Sequence, residues 1–245
     1  MRHLLSTVIF LAALRCSAQG TLTRTSTGWQ YTQYYSNGQI RGIGEYSDSA
    51  HLINNGPLIW FDSTGKRSQY CRFQNLVLSG PDTTWFPNGQ ISIMGSWKEG
   101  ERDGPWTGFY PSGQLSGKAM YTKGKASKVE GYKEDGTVNK AIKDFWAPAA
   151  YPGSLDNWQA YIERALINHR FEIEHHPGGS VSIRFKVAID GKTSDFSVSK
   201  SSGVPSVDKA ALDIIKNAGK WNPEVDGGRL IEVYVSQAIL FRLSQ

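Results

Sequence analysis

The alternation of hydrophobic and polar residues is clearest in residues 181–189, where an apolar side chain occupies every second position. A period of two is typical of a strand with one buried face. Residues 190–191, Asp-Gly, suit the two positive-φ positions of a tight turn, and residues 193–200 return with Phe196 and Val198 on alternating positions. This stretch therefore predicts a β-hairpin.

One helix is predicted after this hairpin and another before it. Pro205 suits the first helical position, where its missing N–H costs nothing, and Asp208 complements the positive end of the helix. The apolar face of this helix comprises Val207, Ala210, Ala211 and Ile214. The earlier helix, 154–168, begins after Ser154 as a plausible N-cap. Its core-facing residues at helical spacing are Trp158, Tyr161, Ile162, Ala165 and Leu166.

The last strand is predicted over residues 230–243, where most odd-numbered positions are apolar. A helix between the second and last strands brings the chain back to its starting end, so the last strand should lie beyond the first. The predicted order is second, first, last, which leaves 230–243 at a sheet edge. The C-terminal unit, 154–245, is therefore expected to be a small α+β domain, preceded by a linker at 139–153.

Residues 28–138 contain an internal repeat, in which Gly-Pro recurs at positions 56, 80 and 104. Four turn glycines each follow an aromatic pair and precede another aromatic residue by eight positions. The pairs are Tyr34-Tyr35, Trp60-Phe61, Trp85-Phe86 and Phe109-Tyr110; the glycines are Gly38, Gly65, Gly89 and Gly113; the later aromatics are Tyr46, Phe73, Trp97 and Tyr121. A fifth, weaker copy starts at Tyr132. A lone hairpin is marginal in water, so we expect an all-β array of stacked hairpins in one elongated sheet.

The aromatic pairs pose a question about the two faces of this sheet. Adjacent strand residues point to opposite faces, so both members of a pair cannot enter one core. One column is therefore a candidate for an exposed aromatic surface, formed by Tyr35, Phe61, Phe86 and Tyr110. The other interpretation is that both faces are covered, because exposed apolar rows are unusual without a partner.

Residues 1–18 have the layout of a secretory signal peptide: Arg2 and His3, an apolar run, and small residues before Gln19. The apolar run is too short to span a membrane. Cleavage after Ala18 would lower the net charge from +5 to +3, which gives little support for nucleic-acid binding. It would also leave Cys71 without a disulfide partner, as a small buried hydrophobe. An exported protein of the periplasm or cell envelope is expected.

No motif predicts catalysis or a bound cofactor. His169, His175 and His176 lie near a Pro-Gly-Gly turn, without a Cys or carboxylate at a typical ligand spacing. No phosphate-binding loop and no G-x-S-x-G sequence occurs. Glu172 and Glu174 alternate on a predicted strand, and a polar strand face explains them. We therefore expect no enzyme, no metal site and no cofactor.

The motifs also carry a family resemblance. They are V-x-I-x-F-x-V-x-x-D-G at 181–191, S-S-G-V-P-S-V-D-K-A-A at 201–211, Trp221-Asn222-Pro223 and a final strand ending Ile239-Leu240-Phe241. In this order and spacing, residues 152–243 resemble the C-terminal domain of the TonB energy-transducer family. Residues 28–138 resemble the MORN-variant repeats that are common in bacterial envelope proteins and in antitoxin-like proteins.

The TonB resemblance implies an envelope protein that works with outer-membrane transport proteins and binds peptide segments by adding a strand to a sheet edge. The expected contact residues on that edge are Leu230, Glu232, Tyr234, Val235 and Arg242. The chain departs from the family by showing neither a spanning anchor nor a proline-rich spacer. We therefore expect peptide binding, whereas energy transduction in support of transmembrane transport stays an open alternative. The alternative is a structural or antitoxin-like repeat protein whose C-terminal unit pairs with itself in a homodimer.

Overall fold

The computed structural model of the protein describes residues 20–169 and 179–241. The chain divides into two compact units. The first comprises the residues up to Phe145 together with Gly227–Arg229, and the second comprises Trp146–Asp226 and the residues from Leu230 onward. The first unit is all-β and the second is α+β, so the predicted fold class is confirmed.

From Gly20 onward, where the structure describes it, the first unit is built on one sheet of eleven strands. Its strands are β1 Gly20–Arg24, β2 Trp29–Tyr34, β3 Ile40–Tyr46, β4 Asn54–Phe61, β5 Arg67–Gln74, β6 Val77–Leu78, β7 Gly80–Trp85, β8 Ile91–Lys98, β9 Glu101–Phe109, β10 Leu115–Thr122 and β11 Lys125–Gly131. They lie side by side in chain order with antiparallel pairing, and the short β6 branches off β5. Each repeat adds one hairpin to the sheet, as expected for a repeat that cannot bury its own apolar surface.

A turn hydrogen bond identifies the equivalent residue in each repeat. The residue that begins the turn donates its N–H to the carbonyl four positions later, at 2.8–2.9 Å. These donors are Tyr35, Asp62, Phe86, Tyr110 and Lys133, so the residues before them, Tyr34, Phe61, Trp85, Phe109 and Tyr132, are equivalent to one another. The predicted column of Tyr35, Phe61, Phe86 and Tyr110 is therefore wrong at Phe61. The residue of that repeat that is equivalent to Tyr35 is Asp62. The turn determines the alignment, and the pair Trp60-Phe61 stands one position further from its turn glycine than the other pairs do.

The two faces of this sheet differ. On the inner face, Gly108 lies against the backbone of Gly227 and Gly117 lies against Gly228. A Cβ atom at Gly108 would be only 1.9 Å from the Gly227 carbonyl oxygen, so this approach requires glycine. Because side chains alternate along a strand, Thr107 and Phe109 point to the opposite, outer face.

Buried aromatic rings fill the inner face. Trp106 is 2 % exposed and makes edge-on contacts with Trp97 and Tyr121, at ring-centroid distances of 5.5 and 6.2 Å. Tyr121 in turn contacts Phe145, which is fully buried although it lies in the predicted linker. These rings form a continuous aromatic core through the third and fourth repeats, where edge-on packing adds to the gain from burial.

In its described residues, the second unit contains two helices and parts of two small sheets. Its helices are α1 Leu155–Asn168 and α2 Pro205–Lys216, and the strands from this part of the chain are β12 Trp146–Ala147, β13 Gly179–Val187, β14 Thr193–Lys200, β15 Glu224–Asp226, β16 Arg229–Ile231 and β17 Val233–Phe241. One sheet has the order β12-β15-β16, and the other has the order β14-β13-β17. The predicted order of second, first, last strand is confirmed for the latter sheet.

The sequence motifs of the C-terminal unit meet in its core. Gly191, at φ 79°, accepts a hydrogen bond from the N–H of Trp221 at 2.9 Å, so the hairpin turn touches the Trp-Asn-Pro segment. The Trp221 ring packs edge-on against Phe185 at 4.9 Å. The buried core comprises Val181, Ile183, Phe185, Val187, Val207, Ala211, Ile214, Ile215, Trp221, Ile239 and Phe241. Helix α1 packs its five predicted core-facing residues against this cluster.

Both helix starts follow the predicted chemistry. The Ser154 side chain accepts a hydrogen bond from the Asn157 N–H, and the Asn157 side chain accepts one from the Ser154 N–H, which is a capping box. Pro205 occupies the first turn of α2, and Asp208 accepts a hydrogen bond from the Ser202 N–H at 2.8 Å. The carboxylate therefore ties the loop before α2 to the helix end that favours negative charge.

Two local predictions are wrong. Only Gly191 has a positive φ in the turn; Asp190 does not, because the loop spans three residues and places only its last residue in the left-handed region. The strand predicted over 230–243 is two strands separated at Glu232, so Leu230 belongs to β16 in the other sheet. Residues 242–243 lie outside the described residues.

Candidate functional site

Strand β17 forms one edge of the sheet β14-β13-β17. All nine of its residues pair with β13, from Val233 opposite Val187 to Phe241 opposite Gly179, without a register shift. In the described part of the chain, no strand pairs with the other side of β17. A long regular edge of this kind presents a row of backbone groups to a further strand.

The pairing shows which backbone groups face outward. The Ala188 N–H donates to the Lys192 carbonyl, so the even-numbered residues that precede it on β13 face β14 and the odd-numbered ones face β17. The odd residues of β17 are opposite odd residues of β13 and pair with them. The peptide groups of Tyr234, Ser236, Ala238 and Leu240 therefore point away from the sheet. The Gln237 side-chain amide donates to the Ala238 carbonyl at 3.1 Å, which agrees with this assignment.

The opposite edge of the same sheet, β14, is irregular. Its pairing with β13 shifts register twice, between Ser182 and Ile183 and between Arg184 and Lys186. Asp195, within the second shift, has a φ of 54°. Bulges of this kind bend an edge strand and interrupt its ladder, so β14 is a poor template for a further strand. Strand β17 is the edge suited to strand addition.

The solvent face beside β17 carries a charged and aromatic cluster. Tyr234 is 50 % exposed, and the Arg184 guanidinium lies 4.3 Å from the centre of its ring. The Tyr234 hydroxyl donates to Asp195 at 3.1 Å. The Lys186 ammonium lies 3.3 Å from both Asp195 and Glu232, and the hydrogen bond with Asp195, followed by that with Glu232, raises the pKa of Lys186. Lys186 is half-buried, whereas Asp195 and Glu232 are exposed, so these ion pairs add little stability and the two carboxylates remain available to a ligand.

The five predicted edge residues do not all lie beside the outer edge of β17. Glu232 and Tyr234 are exposed beside the edge, whereas Val235 is half-buried and packs against the core under the helices. Leu230 lies in β16, and Arg242 lies outside the described residues. Ser236, Ala238 and Leu240 were missed as edge residues, although their even numbering beside the apolar odd positions was a signal for them.

The residues of the predicted aromatic surface are all half-buried, and three of them connect parts of the first unit. The Tyr35 hydroxyl donates to the Phe61 carbonyl at 2.9 Å, and the Tyr110 hydroxyl donates to the Tyr132 carbonyl at 2.8 Å. Each bond joins one repeat to the next, and the two acceptor residues, Phe61 and Tyr132, are equivalent to one another. The Arg229 guanidinium lies 4.7 Å from the centre of the Phe86 ring.

Two buried titratable groups lie in the middle of the repeat sheet. Desolvation by burial, and then the nearby Asp82, raises the pKa of the Cys71 thiol to about 12, so the thiol is protonated at neutral pH. Burial also raises the pKa of Asp82, although the Trp97 ring nitrogen donates to its Oδ2 at 2.7 Å. The Asp82 Oδ1 has no hydrogen-bond partner among the described residues.

The remaining chemistry-bearing side chains form no larger cluster in the described ranges. No group of three or more His, Cys, Asp or Glu side chains lies together as a metal site would require within residues 20–169 and 179–241. His175, His176, Glu172 and Glu174 lie outside these ranges. No helix in the described part of the chain is long and apolar enough to cross a membrane.

Comparisons with known proteins identify both predicted resemblances. Residues 173–243 match the family model of the Gram-negative bacterial TonB protein C-terminal, and residues 30–48 and 102–123 match that of the MORN repeat variant. A search of curated proteins found no match.

Solved structures with partial similarity include the crystal structure of TarM, at 11% identity and a TM-score of 0.32, covering 50% of this chain and 24% of that chain. The crystal structure of the GtfA/B complex bound to UDP and GlcNAc is similar at 11% identity and a TM-score of 0.23, covering 51% of this chain and 25% of that chain. The chain thus spans only about a quarter of the length of either chain.

Proposed function

We propose that this chain is an exported cell-envelope protein whose C-terminal unit binds an extended segment of an envelope or outer-membrane transport protein. The segment adds a strand to the outer side of β17. The observation that carries the proposal is the regular nine-residue edge, with the peptide groups of its even-numbered residues directed outward. The match of residues 173–243 to the TonB C-terminal family supports the choice of partner class.

Backbone pairing alone would give a weak complex. A net gain of about 1 kcal/mol per hydrogen bond barely offsets the roughly 4–15 kcal/mol that association costs in lost freedom. Side chains on the exposed face must supply the remaining affinity. Tyr234 and Leu240, each about half exposed, offer apolar contacts at the two ends of the edge. The exposed carboxylate of Glu232, next to the first residue of β17, favours a segment with a positive charge at that end.

One substitution removes an outward-facing donor of β17 and none of the donors that pair with β13. Ala238→Pro deletes an N–H that points outward and leaves the donors that pair with β13 in place, because proline is tolerated on the free side of an edge strand. Ala238→Ser keeps the N–H and is the matched control. Full-length protein is applied to an array of peptides from envelope and outer-membrane transport proteins. Binding by the wild type and by Ala238→Ser, with loss in Ala238→Pro at an unchanged melting temperature, supports the proposal.

The alternative of self-pairing uses the same edge. If the protein is a homodimer through β17, Ala238→Pro converts it to a monomer in size-exclusion chromatography and peptide binding is absent in both forms. A monomer that retains peptide binding after Ala238→Pro contradicts strand addition at this edge altogether.

A further inference from the structure

A second surface lies on the outer face of the repeat sheet, close to the turns. The five equivalent residues before the turns, Tyr34, Phe61, Trp85, Phe109 and Tyr132, are aromatic in every repeat. Each of the first four pairs across its own hairpin with Ile40, Arg67, Ile91 or Leu115, respectively. We call this set of nine residues the outer row. It crosses the whole sheet, and all of its members except the exposed Arg67 are half-buried.

The aromatic residues of the outer row have a regular spacing. They lie on every second strand, and neighbouring strands are about 4.8 Å apart, so successive rings are separated by about 10 Å. This distance is close to the advance of one disaccharide along an extended β-1,4-linked glycan. A linear ligand of that class could place the apolar face of every second sugar on one ring.

Hydroxyl groups accompany these rings. Thr32, Thr83 and Thr107 precede Tyr34, Trp85 and Phe109 by two residues and therefore share their face. All three threonines are half-buried, and the described residues offer their hydroxyls no hydrogen bond. A face that pairs three of its five rings with a hydroxyl suits a ligand with both apolar and hydroxyl-bearing surfaces, and it suits a hydrocarbon surface less well.

The outer row also contains one positive charge. The guanidinium of Arg67 lies 5.3 Å from the centre of the Trp85 ring, near the middle of the row. It makes no ion pair within the described ranges. A stacked guanidinium keeps its in-plane N–H groups free to bind a carboxylate. The ligand should therefore carry a carboxylate where it passes Arg67.

We infer that the outer row binds an acidic, extended β-1,4-linked glycan, specifically the glycan strand of the bacterial cell wall. The ring spacing matches the repeat of such a strand, the threonines match its hydroxyl groups, and Arg67 matches a lactyl carboxylate, which is free wherever the stem peptide has been removed. The choice of the cell wall as the source rests on the proposed envelope function. The chemistry of the surface does not involve β17.

The experiment measures co-sedimentation of the full-length protein with purified cell-wall glycan strands freed of their stem peptides. Arg67→Glu tests the charged contact, and Arg24→Glu, an exposed arginine outside the outer row, is a control with the same charge change. Chitin, an uncharged β-1,4-linked polymer, and phosphatidylglycerol vesicles are the comparison ligands. We expect the wild type and Arg24→Glu to sediment with the glycan strands, and Arg67→Glu to bind about tenfold more weakly, because a charge-assisted contact is lost.

Three outcomes would overturn the inference. In the first, the wild-type protein stays in the supernatant when the glycan strands sediment. In the second, Arg67→Glu and Arg24→Glu lose glycan binding equally. In the third, the wild-type protein sediments with the vesicles and not with the glycan strands. Thermal melting of both variants checks that the sheet is intact. Ala238→Pro should sediment as the wild type does, so failure of the peptide-binding proposal is distinguishable from failure of this one.

Discussion

The indole ring of Trp106 lies directly over Gly95 of the neighbouring strand, so closely that a Cβ atom at Gly95 would be 2.1 Å from ring carbon Cδ2. The same arrangement places the Trp60 ring over Gly42, where a Cβ atom would be 2.8 Å away. In both cases the glycine gives its cross-strand neighbour the space that a side chain would fill. The repeat sheet is thus packed by rings lying on bare backbone, which explains why glycines occur within its strands.

Gly95→Ala is therefore expected to destabilise the repeat sheet by about 1–3 kcal/mol through overpacking, although the φ of Gly95 suits any residue. Chemical denaturation of the full chain gives the change in unfolding free energy. In a Trp106→Leu background the same substitution should cost clearly less, because the two residues share one space. Equal costs in the two backgrounds would contradict the ring-over-glycine packing.

Tyr110→Phe should cost about 1 kcal/mol of unfolding free energy, because the lost hydroxyl donates to the Tyr132 carbonyl in the next repeat. Tyr70→Phe is the control, since the Tyr70 hydroxyl has no hydrogen bond to another described residue and Tyr70 is also half-buried. A denaturant titration of both variants separates the bond from the general effect of removing a hydroxyl. Identical midpoints would show that the inter-repeat bond adds no stability.

Asp82 should make the stability of the repeat sheet depend on pH. Burial raises its folded-state pKa above the ordinary value of 3.8, so the folded protein favours the protonated form. Its contribution to stability is fully present below pH 3.8 and is lost as the pH rises through the raised folded-state pKa. Asp82→Asn keeps an oxygen that accepts from Trp97 and should lack this loss. Urea unfolding gives the free energy of unfolding of both proteins across that pH window. If the two free energies change with pH in parallel, the predicted contribution of Asp82 is excluded.

Export is expected to remove residues 1–18, which lie outside the described residues. The apolar run and the small residues before Gln19 predict cleavage after Ala18. Mass spectrometry of the protein from its native envelope should find Gln19 at the N-terminus. A chain that retains Met1 in a membrane fraction would contradict cleavage.

Features set by local chemistry could be predicted from the sequence. The repeated turn glycines predicted the stacked hairpins, because each glycine occupies a left-handed position near φ 85° that other residues avoid, as at Gly38 and Gly89. The parity of residues 181–187 predicted the buried strand, and the helix between strands predicted the edge position of β17. These inferences depend on residues close together in the chain or on a topological rule.

Features that depend on distant contacts could not be predicted in this way. Arg229 donates a hydrogen bond to the Phe109 carbonyl across 120 positions of the chain, and nothing near either residue indicates that contact. The break at Glu232 was hidden because Ile231 and Val233 continue the apolar parity across it. The offset of Phe61 was visible, since its distance to Gly65 equals that of Tyr34 to Gly38, but the aromatic pair suggested the wrong alignment.

The central claim, strand addition to β17, is tested most directly by amide hydrogen exchange of the full chain with and without a peptide selected on the array. In the free protein, the amides of Val235, Gln237 and Ile239 should exchange slowly, and those of Ser236, Ala238 and Leu240 should exchange fast. Bound peptide should protect the second set and leave the first set unchanged. Protection confined to helices α1 and α2, or unchanged exchange at Ser236, Ala238 and Leu240 when peptide is bound, would contradict the account.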